Sequence, residues 1–182
     1  KVDTKTLTGH HLTSSVGAEE TLNTAAIACD WTNRQVEEDS RWKTGYGVSL
    51  IHYGNCLGAA GRFMDGSGAR IKLHRDGSIS VAFGLIEMGQ GALTVVQQMT
   101  AEALGVEPSR ITVLPTDTDK VPDSGPSVAS RNVVMTGNAI RDAAGKLLPI
   151  LKESAAELMQ CDLKEIRIEQ DEVSNIRNTE KL

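Results

Sequence analysis

Residues 84–91 combine three glycines, one glutamate and one glutamine between an alternating segment and a helical pattern. A helix start carries backbone N–H groups without intrahelical partners and the positive end of the helix dipole. Gly89 and Gly91 remove side chains that would keep a ligand away from this backbone, and Gln90 can both donate and accept hydrogen bonds. The pattern suits either a cradle for a polar or anionic ligand or a tight turn with a helix cap, and the residues alone leave both open.

A second segment of small residues, residues 125–132, also precedes a helical pattern. Its Ser127, Ser130 and Asn132 can hydrogen-bond a ligand or cap the helix that follows. Two helix starts that converge on one ligand would form a cradle for an oxyanion or a phosphate. We therefore expect any site in this chain to depend on whether the two segments meet.

No group of side chains predicts catalysis by the protein alone. Glu87 lies in a turn, where a single glutamate usually faces solvent or caps a helix. Ser127 and Ser130 have neither a nearby histidine nor a nucleophile-elbow context. The glycines of residues 84–91 match neither the Walker A spacing nor the dinucleotide fingerprint. The aspartates of residues 115–125 lack the spacing of an EF-hand, so a solvated loop is the preferred interpretation.

Composition narrows the class of protein. The chain has 182 residues and a net charge of −5, which disfavours broad binding to nucleic acid or to membrane surfaces. No apolar run is long enough to span a bilayer. Three cysteines without a Cys-x-x-Cys pair indicate free thiols and a reducing compartment, which we take to be the cytoplasm. The absence of an initiator Met and the charged tail favour an excised segment of a longer chain.

The elements that must position the two segments follow from periodicity and turn chemistry. Asp76-Gly77 predicts a two-residue hairpin turn, with both residues at positive φ, between strands over residues 69–74 and 79–83. A helix over residues 92–104 should follow, ended by Gly105. The other predicted elements are a helix over residues 15–37, strands over residues 46–53 and 111–114, a long helix with a kink at Pro149, and a last hairpin of residues 166–169 and 173–177 around Asp171-Glu172. Mixed and antiparallel strands, with hairpins packed against two or three helices, predict an α+β fold.

The two segments also carry a resemblance. Glu87-Met-Gly-Gln-Gly91 with residues 101–105, and residues 121–131 with residues 136–139, resemble two cofactor segments of the xanthine dehydrogenase and aldehyde oxidase family. The segments occur in that family's order and at a similar separation, and the Ala-Ser-Arg version is similar to its bacterial branch. The resemblance is to the molybdenum-binding large subunit, and it extends more weakly from about Leu12 to Arg177. Residues 1–182 are then expected to form part of a molybdopterin-binding domain.

The resemblance implies a molybdenum–pterin cofactor, and its bacterial character favours the cytosine dinucleotide form of the pterin. It implies hydroxylation of a purine, N-heterocycle or aldehyde carbon, with water as the source of oxygen. Ala129 takes the position beside the molybdenum, and Gln90 matches a glutamine that bonds the cofactor. The implied cofactor-binding residues are Met88, Gly89, Gln90, Gly91, Ser127, Val128, Ala129, Ser130 and Asn132.

Several sequence motifs of the family are missing from this chain. The family's glutamate base, its Gly-Gly-Phe-Gly loop and its iron–sulfur cysteines are absent, and Arg131 does not match the substrate-orienting arginine. We therefore expect no catalytic residue here and no turnover by this segment alone. The expected partners are the rest of the molybdenum subunit, iron–sulfur and FAD domains or subunits, and copies of this chain through uncovered apolar surface. The alternative is a non-catalytic binding or assembly module with purely structural glycine turns.

Overall fold

A β-hairpin followed by two packed helices frames the larger part of the protein. The computed structural model describes residues 2–7, 9–33, 41–51, 53–57, 65–178 and 181–182. The chain divides into two units, Lys1–Gly54 and Asn55–Leu182. The first unit contains helix α1, Ala18–Ala28. The second contains β1 (Ala69–Leu73), β2 (Ile79–Phe83), α2 (Ala92–Leu104), β3 (Ile111–Val113), α3 (Arg131–Met159), β4 (Ile166–Glu169) and β5 (Glu172–Asn175).

The strands of the second unit form two small sheets. The three-stranded sheet has the order β1-β2-β3, with β1 antiparallel and β3 parallel to the central β2. Strands β4 and β5 form a separate antiparallel hairpin. Mixed and antiparallel strands packed against helices confirm the predicted α+β class, and the bounds of β2 and α2 agree with the prediction from sequence.

The core lies between the three-stranded sheet and the helices α2 and α3. Every residue of β2 is buried, because this strand is central and its apolar side chains meet the helices. In α2, Val96, Ala101 and Leu104 face this core, whereas Leu93 is exposed. In α3, Ile140 and Ala144 join this core, and Ala155 joins a smaller cluster against the last hairpin. Buried apolar residues of this size each contribute about 1.5–3 kcal/mol.

Both hairpin turns differ in detail from the expected ones. At the first, only Gly77 has a positive φ, and the His74 N–H bonds the Ser78 carbonyl across a three-residue loop. Asp76 instead accepts from the Ser78 N–H and hydroxyl, which favours the longer loop. At the second, the left-handed residues are Gln170 and Asp171, one position earlier than predicted.

The first unit shows the largest corrections. Helix α1 ends at Ala28, before Cys29, and none of its residues is buried. Asp30 follows in a left-handed conformation, which ends the helix far short of residue 37. The expected strand is wrong for residues 46–51 and 53, which form neither helix nor strand and expose their apolar side chains. Alternation favours a strand only where a neighbouring surface receives it.

Two other expectations fall outside these findings. Residues 34–40 and His52 lie outside the described residues, so the end of the predicted helix and the middle of the predicted strand do too. Helix α3 continues through Pro149 as one element, and its kink stays a prediction. Within the described ranges, no helix combines the length and apolarity needed to cross a membrane.

Gly105 gives a direct test of how the helix end is packed. An added Cβ would lie 2.7 Å from the Ile168 carbonyl oxygen, and the residue has φ of 73°. We expect Gly105→Ala to lower the free energy of unfolding by about 1–3 kcal/mol in urea denaturation. Gly145→Ala is the matched control, since a Cβ there meets nothing within 4 Å, and it should stabilise α3 by about 0.5–1 kcal/mol. Equal effects of the two substitutions would contradict this packing.

Candidate functional site

Hydrogen bonds bring the two small-residue segments together. The Gly84 N–H donates to Ser124 Oγ at 2.8 Å, and the Ile86 N–H donates to Ser127 Oγ at 3.1 Å. Ser124 is buried, and its hydroxyl also donates to the Gly68 carbonyl. The chain leaving β2 is therefore held against the segment that precedes α3, as the sequence hypothesis required.

Arg131 is the residue that organises the second segment, and it was missed as such by sequence reasoning. Its side chain is fully buried at the start of α3. The Nε donates to Asp65 Oδ1 at 2.8 Å, and the terminal nitrogens donate to the carbonyls of Ser124 (2.7 Å), Pro126 (2.9 Å) and Gly66 (2.6 Å). A buried guanidinium requires this many acceptors, so it fixes residues 65–66 against residues 124–126. The only sequence signal was an arginine inside a small-residue run.

The backbone between Ser127 and Arg131 adopts an uncommon conformation. Ala129 and Ser130 both have left-handed φ values, 49° and 54°. This conformation costs a residue with a side chain about 1–2 kcal/mol. The Cys56 N–H donates to the Ala129 carbonyl at 2.8 Å, and the Arg131 bonds to the same segment help to hold it. Strain of this kind concentrates at ligand sites, where the surrounding structure supports it.

The two segments line one hollow of about 360 Å³. This volume is within the range of small-molecule and cofactor sites. Seven of the nine residues expected from sequence contribute to it, whereas Gly89 and Gly91 do not, and Val133 joins it without having been predicted. The lining residues are Met88, Gln90, Ser127, Val128, Ala129, Ser130, Asn132 and Val133.

The start of α2 differs from the open cradle that the sequence suggested. Glu87 accepts hydrogen bonds from the N–H groups of Gly89, Gly91 and Leu93. These bonds, that of Leu93 most of all, hold the pKa of Glu87 below its usual value. Of the two uses left open for residues 84–91, the helix cap is present at this end. Gln90 also bonds within its own loop, so the amides of α2 do not form a free anion site.

Asn132 lines the hollow and has one unsatisfied side-chain atom. Its Oδ1 is buried and has no hydrogen-bond partner among the residues that the structure describes. Because an unpaired buried acceptor is costly, this oxygen would be stabilised by any N–H or O–H donor that reaches it. In the described ranges, no three His, Cys, Asp or Glu side chains are grouped to hold a metal ion. The described lining residues offer amide and hydroxyl groups, which can hydrogen-bond a polar organic cofactor.

Comparisons with known proteins agree with this type of site. Residues 24–181 match the family model described as a molybdopterin cofactor-binding domain. The chain is 35% identical over 146 residues to the xanthine dehydrogenase molybdenum-binding subunit of Escherichia coli O157:H7, covering 78% of this chain and 19% of that protein. It is 32% identical over 136 residues to xanthine dehydrogenase 1 of Arabidopsis thaliana, covering 72% and 10%. The chain thus spans about a fifth or less of these relatives.

A solved structure supports the same fold. Quinoline 2-oxidoreductase from Pseudomonas putida 86 superposes with a TM-score of 0.55 at 28% sequence identity. The match covers 61% of this chain and 14% of that one. The superposed part of this chain therefore has a counterpart within a much longer oxidoreductase chain.

The Arg131 bonds predict a large loss of stability when the guanidinium is removed. We expect Arg131→Met to lower the free energy of unfolding by about 3–5 kcal/mol, because Asp65 and three carbonyls lose a buried partner. Arg141→Met, at an exposed position on α3, should change it by less than about 0.5 kcal/mol. Urea unfolding measures both. A wild-type midpoint for Arg131→Met would contradict this role.

The ion pair of Asp65 with Arg131 predicts an acid-sensitive fold. The Arg131 side chain above all, with the Leu57 N–H, holds the pKa of Asp65 below its usual value. A pKa that is lower in the folded state stabilises the fold above the unfolded value of about 4, and this contribution is lost as the pH falls through the folded value. We expect the melting temperature to fall as the pH decreases from about 6 to about 3. The decrease should be smaller in Asp65→Asn, and parallel curves would contradict the assignment.

Proposed function

Since the chain belongs to the molybdopterin cofactor-binding domain family, we propose that it forms part of the cofactor wall in a xanthine dehydrogenase-like molybdenum hydroxylase. The parent enzyme would oxidise a purine, N-heterocycle or aldehyde carbon with oxygen from water. The observation that carries the proposal is the hollow of about 360 Å³ that both segments line, with Gln90 on one side and Ala129 and Asn132 on the other.

In this proposal the chain binds and orients the cofactor and keeps water from it. Asn132 would hydrogen-bond the pterin through its side-chain amide, and the small side chain of the left-handed Ala129 would leave room for the molybdenum. Met88, Gln90, Ser127, Val128 and Ser130 form the remaining wall. Gly89 and Gly91 act through the shape of their loop rather than by lining the hollow. When bound, the molybdenum–pterin group supplies the two-electron oxidation of the substrate carbon.

The proposal assigns the acid–base chemistry to other parts of the parent enzyme. The described residues at the hollow include no carboxylate or histidine that lines it. The general base, the iron–sulfur centres and the flavin would come from the rest of the molybdenum subunit and from partner domains or subunits. A cytosine dinucleotide form of the pterin fits the bacterial-type Ala-Ser-Arg segment. The three cysteines form no disulfide with one another, which suits a reducing compartment such as the cytoplasm.

The alternative, an assembly module with structural glycine turns, predicts a different arrangement of the two segments. It requires the residues of the two segments to lie apart or to fill the space between them. Gln90 and Ala129 instead line the same hollow. The cap formed by Glu87 is the one feature that the alternative explains equally well.

Asn132 separates the two interpretations by experiment. In the full-length protein that carries this chain, we expect Asn132→Leu to lower molybdenum and pterin content severalfold while the melting temperature stays equal or rises. The reason is that leucine has a similar size and removes an unpaired buried acceptor, which is neutral or stabilising for the fold. Metal analysis, pterin fluorescence and calorimetry give the three readouts.

Asn138→Leu serves as the control, because Asn138 is exposed on the same helix. It should leave cofactor content unchanged. Wild-type loading of Asn132→Leu would refute the proposed contact, and a lower melting temperature with full loading would support a purely structural asparagine.

A further inference from the structure

Helix α2 begins without a capping side chain at its own first position. Its N-cap residue is Gly91, which has no side chain to accept the first N–H groups. The acceptor is supplied by Glu87, four residues earlier. Glu87 Oε1 accepts from Gly89 N at 2.7 Å and from Gly91 N at 3.1 Å, and Oε2 accepts from Leu93 N at 3.1 Å. One carboxylate thus takes the place that an anionic ligand would take at an open helix start.

Gln90 closes the same loop from inside. Its Nε2 donates to the Ile86 carbonyl at 2.8 Å, and its Oε1 accepts from the Met88 N–H at 2.6 Å. Both ends of the side-chain amide are therefore used within residues 86–91. Gln90 and Met88 nevertheless lie in the wall of the hollow, whereas Glu87 is not part of that wall. The shape of this wall therefore depends on Glu87, which does not itself line the hollow.

We propose that Glu87 is the positioning residue of the cofactor loop. Its carboxylate fills the amide-lined start of α2 and fixes the backbone of residues 87–93, so that Gln90 and Met88 are held in place before the cofactor binds. The inference rests on the proposed function for its ligand, the molybdenum–pterin cofactor. It also assigns the start of α2 to a protein carboxylate rather than to a phosphate or oxyanion of that cofactor.

Glutamine at this position is the most informative substitution. Glu87→Gln keeps the size and one acceptor oxygen, but its NH₂ group would face the Leu93 N–H, and two donors cannot bond each other. Glu102→Gln is the matched control, because Glu102 is an exposed carboxylate near the other end of the same helix. The two variants change the net charge equally and differ only in the loop contacts.

The experiment uses the full-length protein that carries this chain and combines local with global readouts. In Glu87→Gln we expect hydrogen exchange at the amides of Gly89, Gly91 and Leu93 to be at least about tenfold faster, because charge-assisted bonds are lost. Exchange in the β4–β5 hairpin should stay unchanged. Molybdenum content should fall severalfold, and the Mo(V) EPR spectrum of the remaining loaded fraction should change. Glu102→Gln should match wild type throughout.

Each outcome bears on the inference. Unchanged exchange, or faster exchange with wild-type molybdenum content and EPR spectrum, would overturn it. If Glu87→Gln does not fold, the wild-type protein decides, since unprotected amides at Gly89, Gly91 and Leu93 would equally overturn the cap. If wild type contains no molybdenum or pterin, the proposed function fails by itself. A tenfold exchange effect in that protein would then show the cap without a role in cofactor binding, which also overturns the positioning role.

Discussion

The buried charge of Arg131 is the constraint on which the site depends. A fully buried guanidinium is tolerated only when its donors are paired, and here the pairing groups are the Asp65 carboxylate and three backbone carbonyls from two loops, residues 65–66 and 124–126. These bonds bring residues 65–66 to the segment before α3. That segment can then keep Ala129 and Ser130 in left-handed conformations. The buried charge of Arg131 therefore fixes the segment that forms one wall of the hollow.

The two walls of the hollow are built on different principles. In the loop before α2, the backbone N–H groups find acceptors within the loop itself, because Glu87 and Gln90 accept their hydrogen bonds. The wall from the α3 segment keeps one acceptor, Asn132 Oδ1, unpaired. The first wall is therefore held by its own hydrogen bonds, whereas the second contains a side-chain oxygen without a partner among the described residues.

The sequence predicted an element correctly where the signals that determine it lie within a few residues of each other. The bounds of β2 and α2 followed from alternation, helical period and the Gly105 stop, which all act within a few residues. The strand over residues 46–53 failed in its described residues, because a strand also needs a neighbour that no local pattern supplies. The short α1 failed for a related reason, since a stripe of apolar residues does not guarantee a surface to bury it.

The same distinction applies to the site. The glycine and serine runs identified seven lining residues by composition and by resemblance to a cofactor-binding family. The ion pair of Arg131 with Asp65 joins residues that are 66 positions apart, so sequence spacing could not predict it. The left-handed conformation of Ala129 and Ser130 was not predicted either, because alanine and serine rarely adopt it. The cap by Glu87 was one of two options for a turn glutamate, and only the packed loop decides between them.

The location of molybdenum in crystals of the full-length protein tests the central claim most directly. Anomalous scattering recorded at the molybdenum absorption edge gives this position independently of the protein coordinates. The account predicts one peak in the hollow next to Ala129, between the Met88–Gln90 loop and the start of α3. A peak elsewhere, or a hollow filled by side chains of the parent protein, would contradict it.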